Sequence, residues 1–207
     1  MILRIVKPSR LVEMAFPKLT CRIQKSESIY LTFDDGPVPD VTEWVLDTLK
    51  QYNIKASFFC VAENVSRYPE IYRRIINEGH SVGNHTFNHL NNWKTENDVY
   101  LENIKKASIY IDSPLFRPPH GKLGPRTIKE ISKTHRIILW DVLTKDYDKE
   151  LNPEVCLDIV KNKTTKGSII VFHDSYKAEK NLRYALPLAI EYLLSKNFVF
   201  EAIPMKR

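Results

Sequence analysis

Residues 28–61 read SIYLTFDDGPVPDVTEWVLDTLKQYNIKASFFCV, and the patterns in this stretch decide the fold. Ser28 to Phe33 is a short apolar run that breaks at Gly36 and Pro37, as a buried strand does. From Asp40 to Tyr52, the residues Val41, Trp44, Val45, Thr48, Leu49 and Tyr52 recur on one helical face. Asp40 and Glu43 stand at capping-box spacing at its start. Lys55 to Val61 is apolar again and predicts a second strand. The same alternation continues downstream. Helices are predicted over 69–78, 96–110, 126–134 and 153–162, and strands over 80–84, 115–117, 137–140 and 168–172. A last helix is lined by Leu182, Ala185, Leu186, Ala189, Ile190 and Leu193. Pro187 either kinks it or marks its first turn, and 198–203 forms a final strand. About seven such units fit. An α/β fold with a parallel sheet closed or nearly closed into a barrel is expected, with an open doubly wound sheet as the second choice.

Domain organisation follows from the same reading: an N-terminal extension over 1–27 and one domain over 28–207. Hydrophobic residues make up 43% of the 207 and charged residues 27%, the balance of a globular rather than a disordered chain. Thirty-one Lys and Arg against 25 Asp and Glu leave a charge of +6. That excess suits an anionic partner such as a phospholipid, a cell-wall polymer or a nucleotide sugar, as well as a plain solvated surface. The basic residues form no dense run, so a nucleic-acid partner is not expected. Cys21, Cys60 and Cys156 are odd in number and lack CxxC spacing, which argues against a disulfide framework. In the first twenty residues, Arg4, Lys7 and Arg10 interrupt every apolar run. Neither a signal peptide nor a membrane span is expected, and the reading is cytoplasmic. This segment is expected to pack over the domain, with weak contact to a membrane surface as the second reading. Nothing in the chain speaks to oligomeric state.

Polar clusters fall just after the strands, where active sites lie in parallel α/β folds. Asp34 and Asp35 follow the first strand. Two adjacent acids there are either a polar strand exit or a costly pair held by a positive group. His85 and His89, at i and i+4, can aim both rings at one point, although that spacing alone is weak. Together these residues offer a metal site of two His and one carboxylate, with a second carboxylate free to take a proton from water, the set that metal-assisted hydrolysis needs. Arg117, in Phe116-Arg117-Pro118-Pro119-His120-Gly121, could hold the spare acid ionised, or be a surface residue. Trp140, Asp146 and Tyr147 follow another strand. His173 ends the apolar run 170–172, where Asp146 or Asp174 could keep it protonated.

Five pieces in order, TFDDGP, HTFNH, RPPHG, WDVLTKDYD and IIVFH, resemble the motifs of the polysaccharide deacetylases of carbohydrate esterase family 4, the NodB-like domain. The resemblance runs from Ser28 to the C-terminus. It implies a distorted (β/α) barrel with fewer than eight full units, and removal of an N-acyl group, usually acetyl, from an amino sugar in a poly- or oligosaccharide. It also implies one divalent ion on Asp35, His85 and His89, usually zinc, although cobalt, nickel or iron suit the same ligands. Asp34 would be the general base, Arg117 its tether, and His173 the general acid oriented by Asp146. His120, Trp140, Tyr147 and Phe172 would face the substrate. Two positions depart from the pattern: His120 stands where Tyr is common, and Tyr147 where Trp is frequent. His80 and Asn84 are read as structural. Rival readings are a deformylase of a lipid-linked formamido sugar or a cyclic-imide hydrolase on the same site. More distant ones are a non-haem iron oxygenase and a carbohydrate-binding module.

Overall fold

The computed structural model describes residues 17–205. Most of the N-terminal segment, with its readings as a packed extension or a membrane contact, lies outside the described residues. The strands are β1 Leu19–Thr20, β2 Ser28–Asp34, β3 Ser57–Cys60, β4 Ser81–Asn84, β5 Leu115–Phe116, β6 Arg136–Ile138, β7 Val142–Leu143, β8 Ile169–His173 and β9 Val199–Phe200. The helices are α1 Val41–Gln51, α2 Ala62–Arg67, α3 Pro69–Asn77, α4 Asn97–Ser108, α5 Pro125–Ile131, α6 Pro153–Lys163 and α7 Glu179–Ser195. The expected alternation is present. Short α2 and β7 escaped the sequence reading because neither is long enough to show a period. Pro187 lies inside α7 rather than in its first turn.

All strand pairs in the sheet are parallel, in the order β1-β6-β5-β4-β3-β2-β8-β7, with β9 against the start of β2. β6 and β7 lie near opposite ends of this path, yet only residues 139–141 separate them in sequence. The sheet therefore has to curl until its edges meet, which gives the distorted barrel. Backbone and side chains close the seam together. Leu139 N–H extends the β1–β6 ladder by donating to the Thr20 carbonyl at 2.8 Å, and across the seam Ile23 N–H donates to the Gly167 carbonyl at 2.9 Å. The buried Asp141 carboxylate accepts from Ile169 N–H at 2.8 Å and from the Ser168 hydroxyl at 2.9 Å, with Arg22 Nη1 at 3.6 Å. The boundary expected at residue 28 thus falls inside the fold. Leu19–Thr20 forms a stave, and the short run carries too little pattern to reveal itself.

Period-two alternation sorts the strand side chains into two layers. Ile29, Leu31 and Phe33 of β2, Phe58 of β3, and Ile170 and Phe172 of β8 pack outward with Val45, Leu49 and Leu186 of the helices. Tyr30, Phe59, Leu115, Ile169 and Val171 form a separate inner cluster with Leu143 and Trp140. Among the described residues no helix is long and apolar enough to cross a membrane. Cys21, Cys60 and Cys156 are buried free thiols.

The seam makes a prediction. Asp141→Ala leaves the Ile169 N–H without its carboxylate acceptor and should cost about 1–3 kcal/mol, the usual penalty for an orphaned buried polar group. Urea denaturation measures it. A midpoint equal to the parent's would show that Asp141 does not hold the seam.

Candidate active site

Asp34 ends β2 and His173 ends β8, and the two are registered partners across the sheet. His85 follows β4, Arg117 follows β5, and Asp146 lies three residues beyond β7. Parallel register thus brings the sequence clusters to one rim, at the carboxyl ends of the strands.

Asp35 leaves the strand with φ 84°, in the left-handed region. That turn aims its carboxylate away from that of Asp34. The 85–89 loop coils through two further left-handed residues, Thr86 and His89, and brings its two imidazoles to a centroid separation of 5.1 Å. Asn84 holds the loop: its Oδ1 accepts from Thr86 N–H at 2.8 Å and its Nδ2 donates to the Ile104 carbonyl at 3.1 Å, a structural role as expected. His80 is structural too, accepting Ala56 N–H on Nδ1 at 3.1 Å. His85 Nδ1 lies 2.7 Å from the Arg117 carbonyl, which can only accept, so Nδ1 carries the hydrogen and Nε2 keeps its lone pair. Burial pushes the His85 pKa down to about 4, so the ring is neutral and fit to bind a cation.

Asp35 Oδ1 is buried, lacks hydrogen-bond geometry to any partner, and faces His89 Nε2 at 3.2 Å and His85 Nε2 at 3.7 Å. Burial raises the Asp35 pKa. The His89 contact and the charges of His173, His89 and His85 outweigh it and hold the carboxyl well below its usual range. Three ligand atoms of the N, N and O type, all within 4.8 Å of one another, fit a divalent ion, and three protein ligands leave a coordination position open. Zinc, cobalt, nickel and iron all accept such donors.

Asp34 faces the barrel interior. Arg117 Nη1 donates to its Oδ1 at 2.6 Å, and both residues are buried. The guanidinium also donates to Thr32 Oγ1 at 2.8 Å and to the Leu139 carbonyl at 3.0 Å, and lies 4.0 Å above the Phe59 ring. Arg117 is thus buried against Asp34 rather than on the surface.

His173 Nδ1 meets Asp146 Oδ1 at 2.7 Å, and Asp146 Oδ2 accepts the backbone N–H of His173 at 2.7 Å. Burial alone lowers the His173 pKa. The charge and hydrogen bond of Asp146, with Asp35 and Asp34 beyond, raise it to about 9. Asp174 points to the other face, where its carboxylate accepts from Gly36 N–H at 3.1 Å and the Thr42 hydroxyl at 2.6 Å. Strand alternation therefore makes Asp146 the partner of His173.

Asp34, Asp35, His85, His89 and His173 open into one cleft of about 540 Å³. His120, Trp140 and Tyr147 line it. His120 sits at φ 60° in a short turn, its ring edge-on to His89 at 4.7 Å. Gly121 is required beside it: φ is 65°, and a Cβ would stand 2.6 Å from the Trp140 ring. Tyr147 packs edge-on against His173 at 5.0 Å. Phe172 is a correction. It is fully buried in the outer layer, 6.2 Å from Phe33, because its neighbour His173 takes the inward-facing position. Leu143, Lys122 and Lys177 line the cleft unforeseen. The two lysines lie one residue past RPPHG and four past His173, and that proximity was the available signal.

Two outcomes follow from this geometry. His85→Ala and His89→Ala should each lose stoichiometric zinc on dialysis, while Asp34→Asn keeps it, as read by elemental analysis. Retention of one zinc by both His variants would rule out this ligand set. Arg117→Ala leaves a buried carboxylate unpaired and should cost about 3–5 kcal/mol of stability, again by urea denaturation.

The polysaccharide deacetylase family model matches residues 22–136. A peptidoglycan-N-acetylglucosamine deacetylase of Bacillus cereus is 37% identical over 154 residues, covering 71% of this chain and 56% of that protein, so the chain spans little more than half that relative's length. Another protein of the same name from Bacillus cereus is 32% identical over 195 residues, covering 89% of this chain and 91% of its own. The peptidoglycan-N-acetylmuramic acid deacetylase PdaC of Bacillus subtilis is 35% identical over 172 residues, 79% of this chain and 36% of that protein. Among solved structures, a peptidoglycan N-acetylglucosamine deacetylase in complex with an N-oxidanyl-benzamide superposes with a TM-score of 0.84 at 31% identity, covering 90% of each chain. With the barrel, the rim constellation and these likenesses agreeing, the chain belongs to the polysaccharide deacetylase family.

Proposed function

We propose that this protein is a metal-dependent hydrolase that removes the acetyl group from the nitrogen of an amino sugar in a glycan. The observation that carries the reading is one cleft shared by three elements: the Asp35–His85–His89 set, the Asp34–Arg117 pair and the His173–Asp146 pair. An oxygenase needs the first but neither of the others, and a binding module needs none of them.

A divalent ion bound by Asp35, His85 and His89 would polarise the amide carbonyl and make water a better nucleophile. The protein's own groups carry the protons. Asp34, held by Arg117, takes a proton from the attacking water as the new C–O bond forms. The backbone N–H of His120 is the proposed donor to the oxygen that gains charge. His173 then delivers a proton from Nε2 to the amine nitrogen as the C–N bond breaks. The products are acetate and the free amine. Amide hydrolysis fails without that last step, because an unprotonated amine leaves badly. Asp146 is a positioning residue: it fixes the ring and favours its charged form. Trp140 and Tyr147 shape the acyl side of the cleft.

Acetate release from N-acetylated sugar oligomers, measured beside formate release from formylated analogues, tests the acyl assignment. Formate alone would transfer the site to a deformylase. The acid is tested by pH. His173 must be protonated, so activity falls on the alkaline side as pH passes its pKa of about 9. Removing the carboxylate removes the upward shift, so Asp146→Asn moves this limb to lower pH with zinc retained. Asp174→Asn leaves the limb in place. Asp34→Asn loses roughly 10²–10⁴ in turnover, the range for a general base, and keeps its zinc. An alkaline limb that shifts in Asp174→Asn and not in Asp146→Asn would contradict the assignment.

A further inference from the structure

The chemistry above uses the ionisable groups of the cleft but leaves two lysines without a task. Lys122 and Lys177 both line it, and both ammonium charges act on His120, so they converge on the same wall. Among the described lysines, Lys105, Lys133 and Lys166 pair with acids; these two do not. Lys122 Nζ rests 5.2 Å from the Trp93 ring and Lys177 Nζ 5.4 Å from the Tyr147 ring, and neither is in an ion pair among the described residues. The acids of the cleft do not neutralise them. Asp34 is engaged by Arg117, and Asp35 belongs to the metal set.

The basic wall continues outward. A second cleft of about 440 Å³ shares Lys177 and adds Lys149, Lys180 and Arg183, with the exposed ring of Tyr176 beside them. Its single acid, Glu179, is already paired with Arg183 at 2.9 Å. Unpaired cations lining adjoining clefts, with aromatic rings beneath their tips, suit a ligand that carries negative charge on a sugar-like body.

We infer that Lys122 and Lys177 form a subsite for an anionic substituent, a carboxylate or a phosphate, carried by the glycan next to the sugar that loses its acetyl group. Lys149 and Lys180 extend this subsite along the second cleft. The inference rests on the deacetylase reading and adds a substrate class to it: an anionic rather than a neutral glycan. Lysine suits the task because its flexible stem and point charge tolerate varied anion geometry.

The test uses three N-acetylated oligosaccharides of equal length: one neutral, one bearing a carboxylate on the neighbouring sugar, and one bearing a phosphate monoester there. The parent enzyme should show higher kcat/KM for one or both anionic substrates, and added salt should erode that preference. The carboxylate and phosphate arms show which source the subsite takes. Lys122→Gln and Lys177→Gln should each lower the anionic-to-neutral ratio of kcat/KM by about five- to tenfold, through KM rather than kcat, as loss of a charge-assisted contact does. Lys177→Arg should restore most of the ratio. A ratio that stays unchanged in both Gln variants and in the double variant overturns the subsite. Acetate release from the neutral oligomer would still uphold the deacetylase. If no oligomer releases acetate, the deacetylase reading fails. The same ratio taken from calorimetric binding constants then decides the subsite separately.

Discussion

The buried pair of Arg117 and Asp34 is the interaction on which the rest of this structure depends. An Asp34 side chain at 5% exposure and an Arg117 side chain at 0% are each too costly to desolvate alone, and a 2.6 Å bond between them repays much of that cost. The guanidinium also reaches β2 through Thr32 and the β6–β7 crossing through Leu139. One side chain therefore ties the strand that carries the acids to the seam where the barrel closes. Its backbone carbonyl does a further job, fixing the tautomer of His85. Asp34 and His85 are thus oriented from the same residue, which links the closure of the fold to the cleft.

The opposite wall of the cleft works by the reverse electrostatic logic. His85 is buried and kept neutral, with a pKa near 4, while His173, partly exposed, is raised to about 9 because a carboxylate grips its Nδ1. Two histidines in one cleft thus hold opposite protonation states at neutral pH. The neutral one is suited to a cation and the charged one to a departing amine. Burial acts downward on both; the partner on the other ring nitrogen, a carbonyl in one and a carboxylate in the other, separates them.

Much of this was legible in the sequence, for identifiable reasons. β2 and β8 are buried on both faces and read as continuous apolar runs, and α1 has a clear apolar face with Asp40 N–H bonded to Glu43 at its start. Strand alternation sets the Asp174 carboxylate on the face away from His173, and it likewise puts the Phe172 ring in the outer layer. What stayed hidden depends on distant parts of the chain. β1 and β7 are two residues long and are strands only through their pairing with β6 and β8. The part that Asp141 plays in closure shows only once Ser168 and Ile169 are brought beside it. The lysines of the cleft carry no period or motif and become meaningful only when the loops are brought together.

The central claim is that Asp35, His85 and His89 hold the ion while Asp34 stays free of it to move protons. A crystal of the protein soaked in zinc, with data collected at the zinc absorption edge, tests it directly. The account predicts one anomalous peak bonded to Asp35 and to Nε2 of His85 and His89, at the 2.0–2.2 Å or so usual for zinc with N and O donors, with Asp34 still bound to Arg117. A peak ligated by Asp34 or His173, or none at this rim with zinc bound elsewhere, would contradict it.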